Sequence, residues 1–553
     1  MTKTVKGIEC KFALHIPSRS SNTPDIHMIK ETIHHTDGTS IPNIRYIKDF
    51  KRPIWVTKAS KRNHSQKKEW EHVDNLLEKQ VTQSNLKFEI ARLLGKNWAH
   101  ESVKQLCVSP YVYGADISST ALIKKLYQDK NPDLQTGFSV ATYDIETDVI
   151  NGTEEPIMGS IVFKDKAFVS IIDTFVSGFS SVDQRIQSAA KKYIGEYLDK
   201  HKMTIEVYIA KDVVDMFRAV FNKAHQWKPD FLAIWNMDFD IPKTMAAIEK
   251  YGVDPKDILC DPSVPKEFRV CKYRQGAKKK ITASGKVIPI NPAMQWHTLI
   301  CTSSFYVIDA MCAYKQIRSQ KQEERSYSLD NILNKELGIR KLKFEEANEY
   351  QGLKWHQVMQ SRFKIEYIIY NIFDCLSMLE LDDKIKDLSY TLPAFSATSD
   401  FSVFKSQPKR IADALFHFCR DKGYILGTVP PSVTEEDEEE EDETLGLEGW
   451  IITLPAHLVT HGMNCIIEDE AIHTSIRTYV YDSDSVSAYP TCISVANVSK
   501  EATKRELIDV DGVNQDILRM QNLNLPIGAT NAIEYATKMF NMPKPHELLQ
   551  LIN

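Results

Sequence analysis

Asp144 and Glu146 stand two residues apart in the stretch ATYDIETD. Residues two apart on a β-strand share a face, so both carboxylates would leave a sheet side by side. Adjacent carboxylates repel unless something neutralises them, and a divalent cation does that well. A second acidic site follows in IWNMDFDIP, with Asn236, Phe239 and Asp240. A buried strand ends there, and an Asp at the carboxyl end of such a strand faces a crevice. Taken alone, however, Asn236 and Asp240 read first as turn and helix-cap residues. The third site is Tyr370 and Asp374 in YIIYNIFDCLSMLELD. Four apart on a helix, a phenol hydroxyl and a carboxylate converge on one spot, while Ile368, Ile372 and Phe373 supply the core.

Elements able to position these groups are legible around them. VATYDIETDV, AFVSIIDTFV and IEVYIA are rich in β-formers. Val213, Met216, Phe217, Val220 and Ala224 then recur at helical spacing before the apolar run DFLAIWN, which suits a buried strand. Strands, a helix and another buried strand imply an α/β sheet covered by helices. Residues 266–300 read as an inserted β-hairpin with Lys278, Lys279 and Lys280 at its tip, able to meet a nucleic-acid backbone or only solvent. A long helix is expected at 361–386. Nearer the start, KRNHSQKKEWEHVDNLLEKQ reads as a basic loop entering a helix.

A chain of 553 residues is too long for one core and implies several domains. The formal net charge of −5 is dominated by an unbroken acidic run at 435–443, read as a solvated loop, and without it the balance turns basic. Charge therefore neither requires nor excludes a nucleic-acid partner. No apolar run reaches transmembrane length, and the start MTKTVKGIEC has no signal-peptide core, so no membrane is expected. The ten cysteines are scattered without a C-x-x-C pair, which argues for reduced thiols in a cytoplasm and against a zinc site.

Taken in order, Asp144 and Glu146, then Asn236-x-x-Phe239-Asp240, then Tyr370-x-x-x-Asp374, resemble the three proofreading-exonuclease motifs of family B DNA polymerases. RSYSLDNILNKELGIRKLKFEE and YNIFDCLSMLELD resemble segments of the T-even-like bacteriophage members. The resemblance implies a ribonuclease-H-like 3′–5′ exonuclease domain within an α/β multidomain chain. It implies that Asp144, Glu146, Asp240 and Asp374 hold two Mg²⁺ or Mn²⁺ ions and that Tyr370 positions the attacking water. Asn236 and Phe239 would lie near the terminal nucleotides of a frayed single-stranded 3′ end.

Further on, YDSDSVSAYPTC resembles the first palm motif of the same family through Asp484, Ser487, Tyr489, Pro490 and Thr491. By resemblance Asp484 would bind both polymerase metals, and Tyr489 would stack under the sugar of an incoming dNTP. Residues 493–553 carry neither a second palm aspartate motif nor a fingers lysine motif. The expected organisation is an N-terminal domain (1–137), an exonuclease domain (138–388), a linker with the start of a palm (389–433), the acidic loop (434–444) and a partial palm (445–553). The function expected is the N-terminal part of a split DNA polymerase, completed on primer–template by a C-terminal polypeptide. A stand-alone exonuclease or a non-catalytic DNA-binding scaffold are the alternatives. A cytoplasmic location follows, that of an infected bacterial host if the source is viral.

Overall fold

The computed structural model describes residues 4–18, 23–97, 100–281, 286–319 and 323–429, together with the backbone of two short strands further on. The chain divides into two units, Met1–Glu443 and Thr444–Asn553. The first is mixed α/β, with several sheets and 13 α-helices among the described residues. None of those helices is long and apolar enough to cross a membrane.

The first unit opens on β1 (Val5–Ile16), β2 (Ile26–His35) and β3 (Ser40–Lys48), an antiparallel meander. Next come β4 (Arg52–Thr57), the short β5 (Trp70–His72) and β6 (Leu76–Val81), then α1 (Leu86–Leu94), α2 (Val103–Val108), β7 (Val112–Tyr113) and α3 (Ser119–Lys130). β4 is the centre of a second sheet in the order β6-β4-β7. The expected helix in KRNHSQKKEWEHVDNLLEKQ is therefore β5 and β6 instead. Leu, Glu and Lys favour helix locally, but Leu76 and Val81 are buried only when this segment pairs with β4, and burial overrides propensity.

The central sheet comprises β8 (Val140–Thr147), β9 (Pro156–Phe163), β10 (Lys166–Ile172), β11 (Thr204–Ala210), β12 (Phe231–Ile234) and β17 (Tyr306–Asp309). Its order is β11-β10-β9-β8-β12-β17. β9 runs antiparallel to both β8 and β10, and β11, β12 and β17 each lie parallel to their inner neighbour. Between these strands come α4 (Val182–His201), α5 (Val213–Trp227), α6 (Met237–Lys250) and α7 (Lys256–Leu259). The spacing read from the sequence holds in α5, where Val213, Met216, Phe217, Val220 and Ala224 are all buried. Each large apolar side chain so buried contributes about 1.5–3 kcal/mol. Asp212 starts the helix by accepting from the Asp215 amide at 2.8 Å.

Residues between α7 and β17 form two nested antiparallel ladders, β13 (Cys271–Arg274) with β16 (Thr298–Cys301) and β14 (Lys279–Ile281) with β15 (Val287–Pro289). Lys279 and Lys280 lie in β14 rather than at a tip, and Lys278 pairs with Asp238 at 3.1 Å. Beyond β17 come α8 (Ala310–Ile317), α9 (Leu329–Leu337), α10 (Gly352–Arg362), α11 (Lys364–Ile385), α12 (Leu392–Ser396), α13 (Gln407–Asp421) and β18 (Tyr424–Leu426). The long helix expected at 361–386 is α11, and a non-helical Phe363 separates it from α10. β18 pairs with β5, so the chain returns to its own beginning. Helices cover both faces of the central sheet. Tyr143 and Ile145 of β8 pack with α5 and α6, while Met158, Val162 and Val169 of β9 and β10 pack with α4 and α11. In the second unit β19 (Cys465–Asp469) and β20 (Thr474–Arg477) form an antiparallel pair.

Candidate functional site

Alternation along β8 decides which side chains meet. Tyr143 and Ile145 are fully buried against α5 and α6, so Thr142, Asp144 and Glu146 face α11. Thr142 Oγ1 accordingly donates to the Cys375 carbonyl of α11 at 2.8 Å. α11 answers with one stripe, because Tyr367, Tyr370, Asn371 and Asp374 recur at three- and four-residue spacing. Ligand oxygens of Asp144, Glu146 and Asp374 all lie within 4.8 Å of one another.

Asp240 arrives from the other side of the sheet. Its Oδ1 accepts from the Ile145 amide at 3.3 Å, directly between the two β8 carboxylates, and the residue is buried. Asp238, two residues earlier, turns away and accepts from the Tyr273 hydroxyl at 2.8 Å. The reading of Asn236 and Asp240 as cap residues is corrected here. Asn236 occupies the N-cap position of α6 in a left-handed conformation (φ 68°), which Asn tolerates, but its side chain makes no cap hydrogen bond. The cap comes from Asp309 at the end of β17, whose Oδ2 accepts from the Met237 amide at 2.9 Å. Phe239, on the first turn of α6, is 43% exposed.

Most of the remaining hydrogen-bond capacity at the site is spoken for. Asn371 Nδ2 donates to Asp144 Oδ2 at 2.7 Å, and Asn371 Oδ1 accepts from the Ser160 hydroxyl of β9. The Tyr367 hydroxyl donates to Glu146 Oε2. With its proton so committed, Tyr367 accepts from His356 Nδ1 at 2.8 Å. Trp355 packs on Tyr370 with ring centroids 4.9 Å apart. Lys341, from the loop after α9, reaches Asp374 Oδ2 at 2.6 Å and the Tyr370 hydroxyl at 3.2 Å. One atom is left over: Asp374 Oδ1 is buried without a hydrogen-bond partner among the described residues.

Four clustered carboxylates, Asp240 and Asp374 buried and Asp144 and Glu146 half-buried, cannot all ionise cheaply. Burial, then the charges of Asp240, Asp374 and Glu146, holds the Asp144 carboxyl well above the usual range. Burial and then the Glu146 charge do the same to Asp240 against the opposing Ile145 amide. Burial pushes Glu146 up to about 7, opposed by the Tyr367 hydroxyl and aided by Asp374. Asp374 is also raised by burial, with Lys341 as the main opposing influence. Burial works against the Lys341 ammonium, but Asp374, Tyr370 and Asp144 outweigh it and hold Lys341 well above its ordinary value. Burial, then the Lys341 charge, lowers His356 to about 4, so its imidazole is neutral near pH 7.

Such a cluster fits divalent cations on chemical grounds. All four donors are hard oxygens, the choice of Mg²⁺ and Mn²⁺. The orphaned Asp374 Oδ1 is a ligand atom with nothing else to bind, and a bound cation would relieve the repulsion that raises the carboxyl pKa values.

The structure therefore brings Asp144, Glu146, Asp240, Tyr370 and Asp374 together, with Asn236 and Phe239 at the start of the helix that carries Asp240. Asp484, Ser487 and Tyr489 lie outside the described residues. Sequence reasoning missed Lys341, Tyr367, Asn371 and His356. Tyr367 and Asn371 were within reach of the argument that paired Tyr370 with Asp374, since they share that helix face. No protein-family model matches this chain, and no curated protein matches it significantly.

Proposed function

We propose that this chain is a divalent-metal-dependent 3′–5′ exonuclease of the proofreading type found in family B DNA polymerases, on a ribonuclease-H-like fold. The observation that carries the reading is the convergence of Asp144, Glu146 and Asp374, from a strand and a helix far apart in sequence, within 4.8 Å. Asp240, on a third element, approaches the same point through the Ile145 amide.

The reaction is hydrolysis of the terminal phosphodiester. A water oxygen bonds to phosphorus, the P–O3′ bond breaks, and a nucleoside 5′-monophosphate leaves behind a new 3′ hydroxyl. Asp144, Glu146, Asp240 and Asp374 would hold two divalent ions, which when bound supply a more acidic water and charge stabilisation for the leaving oxygen. Tyr370 keeps its proton, since burial and then the Asp374 charge hold its phenol well above the ordinary value. It therefore offers an O–H to the attacking water or to a phosphate oxygen. Lys341 sets the hydroxyl's direction by donating to it and places a positive charge where the phosphate must enter. Tyr367 and Asn371 fix the Glu146 and Asp144 carboxylates in single orientations. Phe239 offers an exposed ring on which a terminal base can stack.

The test is the variant Asp144→Ala with Glu146→Ala, assayed on DNA with a single-stranded 3′ end in Mg²⁺. Loss of two ligands predicts at least about a 10³-fold fall in digestion. DNA binding in chelator should persist, because the phosphate-facing groups are untouched. Undiminished digestion by the variant would sink the assignment.

A further inference from the structure

We propose that His297, Asp309 and Cys312 form a second, buried metal site, structural in role and selective for Zn²⁺. The three residues come from two elements, His297 just before β16 and Asp309 with Cys312 across the β17–α8 junction. All are buried, and one ligand atom of each lies within 4.8 Å of the others. Three points so bounded share a centre no more than about 2.8 Å from each, so a small inward shift gives zinc distances of about 2.0–2.3 Å.

The independent observation is an orphan. His297 Nε2 is buried with no hydrogen-bond partner among the described residues. Leaving a buried ring nitrogen unpaired costs about 1–3 kcal/mol, and nothing else near it answers that cost. The other ring nitrogen has partners. His297 Nδ1 lies 3.0 Å from the Tyr273 hydroxyl, and the Gly276 amide points its N–H at it from 3.3 Å. Since the Tyr273 proton is committed to Asp238, its oxygen can take a proton from Nδ1; in that tautomer the longer Gly276 contact is given up and Nε2 is a bare lone pair. A metal-binding histidine commonly has this arrangement, its far nitrogen held through a hydrogen bond that ends on a carboxylate.

The other two donors are available as well. Asp309 accepts from the Met237 and Cys312 amides, both at 2.9 Å, and each oxygen retains a second lone pair. Cys312 Sγ spends its weak donor on the Pro292 carbonyl at 3.5 Å, and would release that proton to solvent on binding a cation. One nitrogen, one thiolate sulfur and one carboxylate oxygen suit a borderline-soft ion, and not the Mg²⁺ that suits the all-oxygen cluster. The fourth position is left to water or to the Pro292 carbonyl. An ion here would tie the base of the β13–β16 insert to β17 and, through Asp309, to the start of α6 that carries Asp240.

The probe is the full-length chain loaded with Zn²⁺ or Co²⁺, read by metal content and absorption and not by activity. About one Zn²⁺ per chain should survive dialysis against Mg²⁺ buffer. Co²⁺ should give a near-ultraviolet thiolate charge-transfer band, which the all-oxygen cluster cannot produce. Cys312→Ser and His297→Ala should each remove the band and the retained zinc. Absence of the band from the unaltered chain would overturn the proposal whether or not the variants fold. So would a band that survives in Cys312→Ser, because it would then arise from another thiol such as Cys260, Cys271 or Cys301.

Discussion

Glu146 shows how one side chain ties stability to cation binding. The unfolded chain releases this proton near 4.5, whereas the folded one holds it to about 7. Between those values the folded state binds more protons, so stability falls as pH rises through the window. The loss is on the order of 1–3 kcal/mol without divalent ions. Urea midpoints at pH 4.5 and 7.5 in chelator should therefore separate the wild type from Glu146→Gln, whose neutral amide does not titrate. The wild type should lose ground against the variant as pH rises, and Mg²⁺ should restore it chiefly at the upper pH. A wild-type-to-variant difference that stays constant across the window would show that Glu146 ionises as freely in the fold as outside it. Lys341 belongs to the same balance, since its ammonium neutralises part of the carboxylate charge.

At the scale of elements, the site depends on where α6 begins. The sequence IWNMDFDIP carries its own cap candidates, yet the hydrogen bond comes from Asp309, more than one element away. Asp309 also caps its own helix through the Cys312 amide, so one carboxylate starts two helices. Asp309→Ala would leave two buried amides unpaired, at a cost of about 2–4 kcal/mol. Urea denaturation in EDTA reads this capping contribution apart from any bound ion. A cost under about 1 kcal/mol would mean that other acceptors take over the two amides. This double role was not legible, because a cap supplied from a distant strand end leaves no local spacing to read. The carboxylates were legible for the opposite reason. Asp144 with Glu146 and Tyr370 with Asp374 each lie within one element, where strand or helix geometry alone predicts a shared face. β9 escaped notice because its burial on both faces removes the alternation that marks a strand. Lys341 sits in a loop, where no periodicity points anywhere.

Across the first unit, the meander and the central sheet are joined by a buried lysine. Lys30 of β2 donates to the carbonyls of Lys228 at 2.9 Å, Pro229 at 3.3 Å and Ser304 at 2.6 Å. Burial pulls its ammonium down to about 8, with Asp230 the main opposing charge. Lys30→Met keeps most of the apolar stem but removes every donor, stranding three carbonyls. The expected cost is about 3 kcal/mol, with limited proteolysis between the meander and the central sheet becoming faster. Unchanged stability and unchanged cleavage would show that the lysine is not the tie. Domain boundaries drawn on the sequence could not anticipate this, since a lone Lys in a strand reads as an exposed residue.

The pairing of β5 with β18 sets an order of events on the ribosome. Tyr424 lies opposite His72, so roughly 350 residues separate the two strands, and at ordinary synthesis rates the second emerges about 20–70 s after the first. Throughout that interval the backbone of β5 lacks the strand that will satisfy it, and Trp70 and Tyr424, whose rings end 4.9 Å apart, have not yet met. The pairing of β5 is therefore among the last parts of the first unit to be completed, and the central sheet has the opportunity to form before residues 70–72 are locked in place.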